Sequence, residues 1–557
     1  MMVPEANALR SKRLVSSALC VLGLIFALRC YHTYRVFNAT FDEGWHLSSG
    51  LKIWQTGRYK YEDHHPPLGR ALLALPPYLA GLRLPPSQSL WTGSEPEFYW
   101  RTLSLARAAN LLFVPVLLVY VYLWGSRLFG AKAGLIAATV VSFSPNVLAH
   151  ASVATLDFGG TVTTLACAYH FLRWSLEPAL RNCLWAALTF GLALLIKFSA
   201  LLFVPPLAVL LFLVARWSRL SWRPSASWIQ AARRGLLFGA VVFLVIWAGY
   251  RFEFGPLPSG MLFYKPPARS MVAAAQPAVK QAVARRNLPA PAFARGMFDL
   301  VTHNAQGHDA YLLGRVKSSG GWWYYFPVAL AVKTTLPLLL LMAMAVIAWL
   351  VGRQIVQPML YPLLGAAVVM FISMSSNMNI GVRHILPIYP FLALAAAGLF
   401  AAPALRWPSA RPAMVRLAAA LAVWHCGESV LARPDYLAYF NQLARGREEH
   451  YLLDSNLDWG QDLARLQVYL AENQIDSVYL SYFGKTDPAL LGMTGVKPLP
   501  AGVRPSGWIA VSKTHLAGLY VPKGSEVAWL KSYTPAARIG KSILLYNIPE
   551  GSTAAAR

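Results

Sequence analysis

Two adjacent carboxylates, Asp42 and Glu43, directly follow the first apolar segment of the chain, in the stretch FDEGWHLSSG at residues 41–50. Carboxylates are costly to remove from water, so acids at such a boundary more often mark a site than decorate a surface. Two solvated loop acids are the alternative. A carboxylate placed there could act as a general base and take the proton of an attacking hydroxyl group.

One reaction that needs such a base is the attack of a hydroxyl group on the anomeric carbon of a sugar that leaves on a phosphate. The base must lie in line with the breaking bond, and cations must face the phosphate on the opposite side. Asp42 is the candidate base, with Glu43 as its companion, because adjacent side chains diverge on a helix or a strand. The candidate phosphate-binding residues are Arg107, Lys197 and Arg383, with Lys333 as a further candidate.

These basic residues lie in or next to apolar segments. An Arg or Lys at such a depth costs about 2.5–3.5 kcal/mol on insertion scales, so each is expected to have an anionic partner. Snorkelling of Arg107 and Arg383 to the interface is the alternative.

Four further residues could support the site. Asp157, in ASVATLDFGG, could orient a basic residue or bind an acceptor, or it could be a helix-terminal charge stabilised by the macrodipole. His46 lies near the acidic pair, and the stiff segment YEDHHPPLGR contributes Asp63 and His65. Some of these residues are also chemically able to bind a divalent metal, together with two distant histidines, although no ligand spacing supports it: Glu43, His46, His65, His303 and His308.

The composition indicates which kind of scaffold must position these residues. The 557 residues are 56% hydrophobic and 13% charged, with a mean hydropathy of +0.43, which is typical of a membrane protein with several spans. Lys and Arg number 50 against 24 acids, which suits anionic headgroups or a phosphate-bearing substrate. Nucleic acid is disfavoured because the basic residues are dispersed among apolar segments. The five cysteines show no paired spacing, so neither a disulfide framework nor a metal cluster is expected.

Apolar runs of spanning length predict about eleven transmembrane helices. The first begins as a retained signal anchor, whose basic flank stays in the cytoplasm. Threading the chain from there leaves residues 31–104 and 251–325 as long outer loops and places the tail outside as well. The predicted helices lie near residues 14–30, 105–125, 133–150, 157–174, 182–196, 198–215, 235–251, 326–351, 358–375, 384–402 and 413–431.

The predicted organisation is a transmembrane domain at residues 1–432 and a small α/β domain at residues 433–557. Strand-like runs at 478–483, 508–512 and 542–547 support the second domain. In the first outer loop, the short Pro-broken run at 68–82 suits the interface better than a span. The aromatic residues of GWWYYFP, Trp322 to Tyr325, suit an interfacial belt.

Several motifs resemble one family in order along residues 41–462. DEGWH and HHPPLGRALLALP resemble the DE and HPPL features of the protein O-mannosyltransferases and their bacterial relatives, glycosyltransferase family 39 of the GT-C superfamily. Further similar segments are LARAANLLF, TLDFG, LALLIKFSALL, GWWYYFP, VRHILPIYPF and DSNLDWGQDL. The first pair is fairly specific, whereas each later motif alone is weak.

The resemblance implies a GT-C type fold, an active site on the outer side of the membrane, a polyprenyl-phosphate-linked sugar as donor and inversion at the anomeric carbon. It implies that Asp42 acts as base with Glu43 as companion, that His65 is the histidine of HPPL, and that Arg107 is associated with the donor phosphate. The chain lacks the β-trefoil insertion of the eukaryotic enzymes, which leaves the acceptor open between protein, glycan and lipid. Lipid A aminoarabinose transferases share the scaffold and use a different sugar and acceptor.

We therefore expect a hexosyltransferase of the bacterial inner membrane, with a cytoplasmic amino terminus and a periplasmic carboxyl terminus. A transporter or lipid flippase is the alternative, because many spans with intramembrane charges suit that class too. A third alternative is an envelope scaffold whose tail is the working part.

Overall fold

The structure is a computed structural model. Asp63, a predicted supporting residue, lies outside the part of the chain that it describes. So do Arg353 and most of two predicted cytoplasmic links. The described residues are 3–59, 64–85, 88–92, 95–217, 228–256, 287–352, 357–401, 411–521 and 526–550.

Helices make up most of the described chain. In the amino-terminal half they are α1 (Val3–Tyr34), α2 (Glu43–Thr56), α3 (Pro67–Leu79), α4 (Pro96–Asn110), α5 (Phe113–Phe129), α6 (Ala131–Ser142), α7 (Pro145–Ala151), α8 (Leu156–Leu176), α9 (Leu180–Ile196), α10 (Ala200–Trp217) and α11 (Trp228–Gly249). The later helices are α12 (Pro291–Gln306), α13 (Tyr325–Lys333), α14 (Leu336–Val351), α15 (Leu360–Met374), α16 (Ile388–Ala401), α17 (Arg411–Leu431), α18 (Glu448–Tyr451), α19 (Leu463–Glu472) and α20 (Lys513–Leu516).

The described part of the structure contains fewer straight membrane-spanning helices than the eleven predicted from the sequence. Among the described residues, six helices are long and apolar enough to cross a membrane, or eight if each bent pair counts as one span. The bent pairs are α6 with α7, at 66°, and α13 with α14, at 116°. Two more predicted spans, α9 and α16, are shorter apolar helices. The remaining one, α8, is a helix of 21 residues that is nearly all buried and carries polar side chains. Every predicted apolar segment is thus helical, but sequence length alone overcounts the straight spans.

The helices differ in how they meet their surroundings. Within the apolar windows of α1 and α11, only 11% and 0% of the residues are buried inside the protein. Helix α16 is buried on nearly all sides, as its alanine-rich, uniformly apolar sequence indicates. The bundle therefore has central helices and peripheral helices with open apolar faces.

The carboxyl-terminal part contains a five-stranded sheet in the order β6-β5-β7-β9-β8. The first three are parallel neighbours and the last three are antiparallel neighbours. Two antiparallel strand pairs, β1 with β2 and β3 with β4, lie before α12 and after it. The strands are β1 (Phe254–Pro256), β2 (Asn287–Pro289), β3 (Ala310–Leu312), β4 (Arg315–Lys317), β5 (Val478–Ser481), β6 (Val496–Pro498), β7 (Gly507–Ser512), β8 (Ala537–Ile539) and β9 (Ile543–Ile548).

The predicted fold class, a helical membrane protein with a small α/β region at the carboxyl end, is confirmed. The sheet packs between two apolar clusters of its own, one of which includes Leu463 and Leu466 of α19. The preceding segment is different, because Tyr436, Leu453 and Trp459 belong to the main core of the helical bundle. The tail is thus built into the bundle before its own sheet begins, and the division at residue 433 stays a prediction.

Candidate active site

Four charged side chains from distant parts of the sequence form one alternating chain of acids and bases. Asp42 occupies the N-cap position of α2, and Asp157 lies in the first turn of α8. Lys197 ends α9, and Arg383 lies in the 3-10 turn Val382–Ile385. These four helix and turn termini meet at the same place.

Arg383 is the link between the two acids. Its Nη1 donates to Oδ2 of Asp42 at 2.5 Å and lies 3.9 Å from Oδ2 of Asp157. The other oxygen of Asp157 accepts a hydrogen bond from Nζ of Lys197. Two cations therefore face two carboxylates, and the cluster is neutral as a whole.

The local sequence explains how Lys197 reaches Asp157. Lys197 has an extended backbone at the end of α9, where the chain turns into α10 with almost no loop. Its side chain crosses Gly160 of α8, where a Cβ atom would lie 3.0 Å from Cδ of Lys197. A side chain at residue 160 would therefore push the ammonium group away from the carboxylate one turn earlier. This packing accounts for the glycine in TLDFGG.

The charged groups of this cluster are only partly accessible. The exposed side-chain fraction is 21% for Asp42, 12% for Arg383, 16% for Lys197 and 4% for Asp157. Asp42 is therefore the carboxylate of this cluster that an incoming molecule can reach most easily. The side chains of Arg383 and Lys197 are less exposed than that of Asp42.

Glu43, the neighbour of Asp42, has a different environment. It is fully buried and forms a two-pronged ion pair with Arg107, at 2.8 Å for each prong. Its oxygens also accept hydrogen bonds from Thr40 and from the backbone N–H of Ala154. Burial by itself would raise the pKa of Glu43, but the charge of Arg107 and these donors outweigh it, so the pKa is lowered.

The contacts of Arg107 differ from those expected of a phosphate-binding residue. Its five N–H donors make five hydrogen bonds, two to Glu43 and three to the carbonyl oxygens of Tyr34, Phe37 and Asn38. No donor is left for a phosphate, and the side chain is 1% exposed. Arg107 and Glu43 thus hold the loop that carries Asp42, and a contact of Arg107 with the donor phosphate stays a prediction.

Lys333, the further candidate, is also placed elsewhere. It is fully buried, and its Nζ donates to the carbonyl oxygens of Leu437 and Asn456. Lys333 therefore fastens the tail segment to α13.

The predicted supporting histidines lie beside the cluster. The rings of His46 and His65 are 5.0 Å apart, and Arg70 donates to the carbonyl oxygens of His65 and Pro66. The HPPL turn is thus fixed to the start of α3. Burial lowers the pKa of His65 well below its usual value, and the charges of Arg70 and Lys197 act in the same direction, so its imidazole is neutral at pH 7.

The divalent metal hypothesis gains no support. In the part of the chain that the structure describes, no three His, Cys, Asp or Glu side chains are placed to hold a metal ion. Glu43, a proposed ligand, is engaged by Arg107. The rings of His64, His303 and His308 form a separate row, with centroids 5.8 and 6.0 Å apart.

The tail contributes residues that sequence reasoning missed. The guanidinium of Arg383 lies 4.6 Å from the ring centroid of Trp459, whose carbonyl oxygen accepts from the N–H of Phe41. Nζ of Lys485 lies 4.8 Å from the ring centroids of both Phe41 and Trp45. Trp459 lies within the motif DSNLDWGQDL, whereas no local signal marked Lys485.

A third aromatic ring, that of Trp91, lies near Lys485 together with the rings of Phe41 and Trp45. Trp91 lies 5.3 Å from Nζ of Lys485 and packs edge to face with Trp45, with centroids 4.9 Å apart. A Cβ atom on Gly44 would lie 2.1 Å from the Trp91 ring, so only glycine permits this contact. Trp45 is 44% exposed, which leaves an open aromatic face next to the accessible carboxylate.

His384 was also missed, although it follows Arg383 directly. Its buried Nε2 has no hydrogen-bond partner within the described ranges. Burial lowers its pKa well below the usual value, and the charges of Arg383 and Lys197 add to the effect. His384 is thus a neutral imidazole beside the two cations.

Part of this chain is similar to a known protein family. Residues 102–255 match the family model described as dolichyl-phosphate-mannose-protein mannosyltransferase. A comparison with curated proteins gives no significant match.

Solved structures with similarity to this chain include the two that follow. One is ArnT from Cupriavidus metallidurans bound to undecaprenyl phosphate, with 14% identity, coverage of 94% of this chain and 97% of that chain, and a TM-score of 0.49. The other is the archaeal oligosaccharyltransferase AglB from Archaeoglobus fulgidus in complex with an inhibitory peptide and a dolichol-phosphate. It has 12% identity, coverage of 90% of this chain and 70% of that chain, and a TM-score of 0.48.

The matched segment contains Arg107, Asp157 and Lys197, that is, the buried cation and half of the charged cluster. The resemblance predicted from the motifs is confirmed for residues 102–255, which are similar to a family of membrane glycosyltransferases, the dolichyl-phosphate-mannose-protein mannosyltransferases.

Proposed function

We propose that this protein is an inverting membrane glycosyltransferase that moves a hexose, such as mannose, from a polyprenyl phosphate to an acceptor hydroxyl group. The match of residues 102–255 to a glycosyltransferase family supports the reaction class. The observation that carries the proposal is the chain of charges from Asp42 through Arg383 and Asp157 to Lys197. In this chain of charges the accessible carboxylate of Asp42 contacts Arg383, and the second cation, Lys197, contacts Asp157.

The two cations suit the phosphate of the donor. A guanidinium and an ammonium group in a site shielded from water stabilise the negative charge that grows on a leaving phosphate. Asp157 holds Lys197 and lies 3.9 Å from Arg383, so it keeps both cations in place before the donor binds. In this proposal Asp157 is a positioning residue.

Asp42 suits the role of base. Its Oδ2 accepts from Arg383, and within the described ranges no donor contacts Oδ1. A donor phosphate would compete with Asp42 for Arg383, so its arrival would free the carboxylate. Binding of the donor and activation of the base are then coupled through one guanidinium group.

The proposed transfer has a simple balance of atoms. Oδ1 of Asp42 takes the proton of the acceptor hydroxyl group, whose oxygen forms a bond to the anomeric carbon. The bond from that carbon to the phosphate oxygen breaks, and polyprenyl phosphate leaves with the electron pair. Attack from the side opposite the phosphate inverts the anomeric configuration.

We further propose that the site faces the periplasm of a bacterial inner membrane, with the amino terminus in the cytoplasm. Basic residues in the predicted inner links support this orientation. The acceptor is a protein, a glycan or a lipid. The open face of Trp45 and the nearby Lys485 are the groups that an acceptor would meet first.

The base assignment is tested with Asp42→Asn in the purified full-length enzyme. Undecaprenyl-phosphate mannose serves as the donor and a membrane fraction serves as the acceptor source. We expect transfer to fall by about 10²–10⁴-fold, the usual contribution of general base catalysis. Wild-type turnover of Asp42→Asn would refute the role of Asp42.

Asp435→Asn is a closely matched control. Asp435 is also 21% exposed and pairs with Arg465 at 2.7 Å, but it lies outside the cluster. We expect it to keep wild-type transfer.

The sugar and the acceptor are identified by mass spectrometry of envelope glycans, glycoproteins and lipids, with and without the protein. Loss of one hexose from one class of molecule is the expected result. Movement of the lipid-linked sugar across the membrane without transfer would instead favour a flippase.

A further inference from the structure

A cavity lined by basic and apolar side chains lies at the end of α1, apart from the charged cluster around Asp42. It has a volume of about 330 Å³. Its walls come from the last turns of α1, from the residue that follows α1 and from the segment that follows α17. The lining residues are Leu28, Arg29, Tyr31, His32, Arg35 and Arg433.

The cavity concentrates positive charge without a matching acid. Three of its six lining residues are arginines, a fourth is a histidine, and none is acidic. Arg35 and Arg433 are exposed, and neither forms an ion pair within the described ranges. Like charges that gather in this way repel one another, so the arrangement suits an anionic ligand.

Arg29 supplies an independent sign of an absent partner. Its Nε donates to the hydroxyl group of Tyr436, and its Nη2 donates to Ser429. Its Nη1 is buried and has no hydrogen-bond partner within the described ranges. A buried donor without an acceptor is costly, and an oxyanion in the cavity could remove that cost.

The surroundings of the cavity are those of a lipid-facing surface. Leu28 and Tyr31, which line it, are 58% and 54% exposed. On α17, Val430 and Leu431 are 56% and 81% exposed, three and two residues before Arg433. Exposed apolar side chains on a predicted span are where acyl chains pack, and a tyrosine at its end suits the headgroup level.

We propose that this cavity binds the phosphate headgroup of an anionic membrane phospholipid. The arginines and His32 face the phosphate, while the exposed apolar residues of α1 and α17 contact the acyl chains. A water-soluble anion would use only the first of these two surfaces. The proposal does not depend on the glycosyltransferase activity.

The bound lipid would join two parts of the molecule. Arg29 already ties α1 to Ser429 of α17 and to Tyr436 of the tail. A phosphate held by Arg29, Arg35 and Arg433 would add a second link at the same level. Since α1 leads directly into the loop that carries Asp42, the lipid would stabilise the outer end of this helix next to the active site.

Native mass spectrometry of the full-length protein in detergent tests the proposal. The probe is phosphatidylglycerol, compared with phosphatidylcholine, which has a phosphate but no net charge, and with inorganic phosphate. The variant is Arg35→Gln/Arg433→Gln. The control is Arg445→Gln/Arg447→Gln, which removes the same charge from exposed arginines that do not line the cavity.

We expect the wild type and the control to retain phosphatidylglycerol in preference to phosphatidylcholine. Each basic residue contributes about 1 kcal/mol at an anionic lipid surface, or roughly a factor of 5, so the double variant should bind about 25-fold more weakly. The variant Arg35→Lys/Arg433→Lys keeps the charge and should restore most of the binding. This rescue separates loss of charge from a folding defect.

Three results would overturn the proposal. One is equal retention of phosphatidylglycerol by the double Gln variant and the control. Another is equal retention of phosphatidylcholine and phosphatidylglycerol by the wild type. The third is displacement of the lipid by inorganic phosphate at equal concentration, which would identify a free anion as the ligand.

Discussion

Two neighbouring carboxylates, Asp42 and Glu43, belong to two ion-pair systems with opposite properties. Glu43 and Arg107 are both buried, and every N–H donor of Arg107 has an acceptor. Asp42 and Arg383 are partly exposed, and Arg383 also lies near Asp157. We call the buried Glu43–Arg107 pair the closed system and the partly exposed Asp42–Arg383 pair the open system. The closed system holds the backbone in place, whereas the open system can exchange partners when a charged substrate arrives.

The comparison shows why an ion pair by itself does not identify a catalytic residue. Removing one member of a buried pair leaves an uncompensated charge in the interior, and the cost appears in folding. Removing one member of a partly exposed pair costs little stability, because water screens the remaining charge. The two systems should therefore separate in experiments that measure stability and activity on the same variants.

The largest expected effect on stability is that of Glu43→Gln. The substitution keeps the volume but leaves Arg107 buried without its counter-ion, which should lower the free energy of unfolding by about 3–5 kcal/mol. Thermal or chemical unfolding in detergent measures it. The control is Glu177→Gln, since Glu177 pairs with Arg127 at 2.6 Å but is 47% exposed, and it should cost less than about 1 kcal/mol. Equal effects of the two variants would contradict the distinction.

The next effect concerns the open system. Arg383→Gln should lower kcat for transfer by about 10²-fold, the usual loss when one group that stabilises a developing oxyanion is removed. Arg383→Lys keeps the charge but loses the planar fork, and it should recover part of the rate. Steady-state kinetics with the lipid-linked donor, together with an unfolding curve for each variant, make the test. If the fraction of folded protein falls while kcat is unchanged, Arg383 stabilises the fold and does not act in transfer.

A further carboxylate, that of Asp458, sharpens the comparison through its pH dependence. Asp458 is fully buried, and burial raises its pKa to about 7, although the N–H groups of Thr514 and Gly460 donate to it. Glu43, with its arginine, has a lowered pKa instead. A raised carboxyl pKa contributes stability below the unfolded value near 3.8, and this contribution is lost as the pH rises through about 7.

For Asp458→Asn we therefore expect stability to rise relative to wild type between about pH 4 and pH 8. The contribution of Glu43 has the opposite sign, being present above its unfolded pKa and lost as the pH falls. Unfolding midpoints of the wild type and of Asp458→Asn across this range measure the difference. A difference that is constant with pH would show that Asp458 does not titrate in this way.

The smallest effect is expected at the edge of the open system. Lys485 lies over Phe41 and Trp45, and a cation over exposed aromatic faces contributes about 0.5–1 kcal/mol. Lys485→Gln should therefore lower kcat/KM by roughly 2–5-fold. Lys497→Gln, at an exposed position of β6, should leave kcat/KM unchanged. A similar loss in both variants would exclude a specific role for Lys485.

Much of the fold could be predicted from apolar runs. A membrane helix needs a continuous apolar segment, so every predicted segment is helical in the structure. The sharp bends were not predictable by length, because the 116° break between α13 and α14 lies inside one apolar run. Strands β5, β7 and β9 were predictable from β-branched and aromatic residues. Strands β6 and β8 and the insertion of Trp459 into the bundle core were not predicted.

The candidate site shows the same division. Residue type and position at the end of an apolar run were enough to select Asp42, Lys197 and Arg383. The partners were not, since Arg383 and Asp42 are 341 residues apart in the chain. Lys485 is a lysine in an ordinary loop, and only the docking of that loop on Phe41 and Trp45 shows its place.

The sequence by itself determined that this is a membrane protein with acids at the end of its first apolar segment and a family resemblance in its motifs. These properties depend only on the amino-acid composition and on the order of residues within short segments. Only the tertiary structure decided that Glu43 is closed off by Arg107 while Asp42 stays accessible beside Arg383. Adjacent side chains point in different directions, so contacts with distant segments determine which acid is buried and which is open.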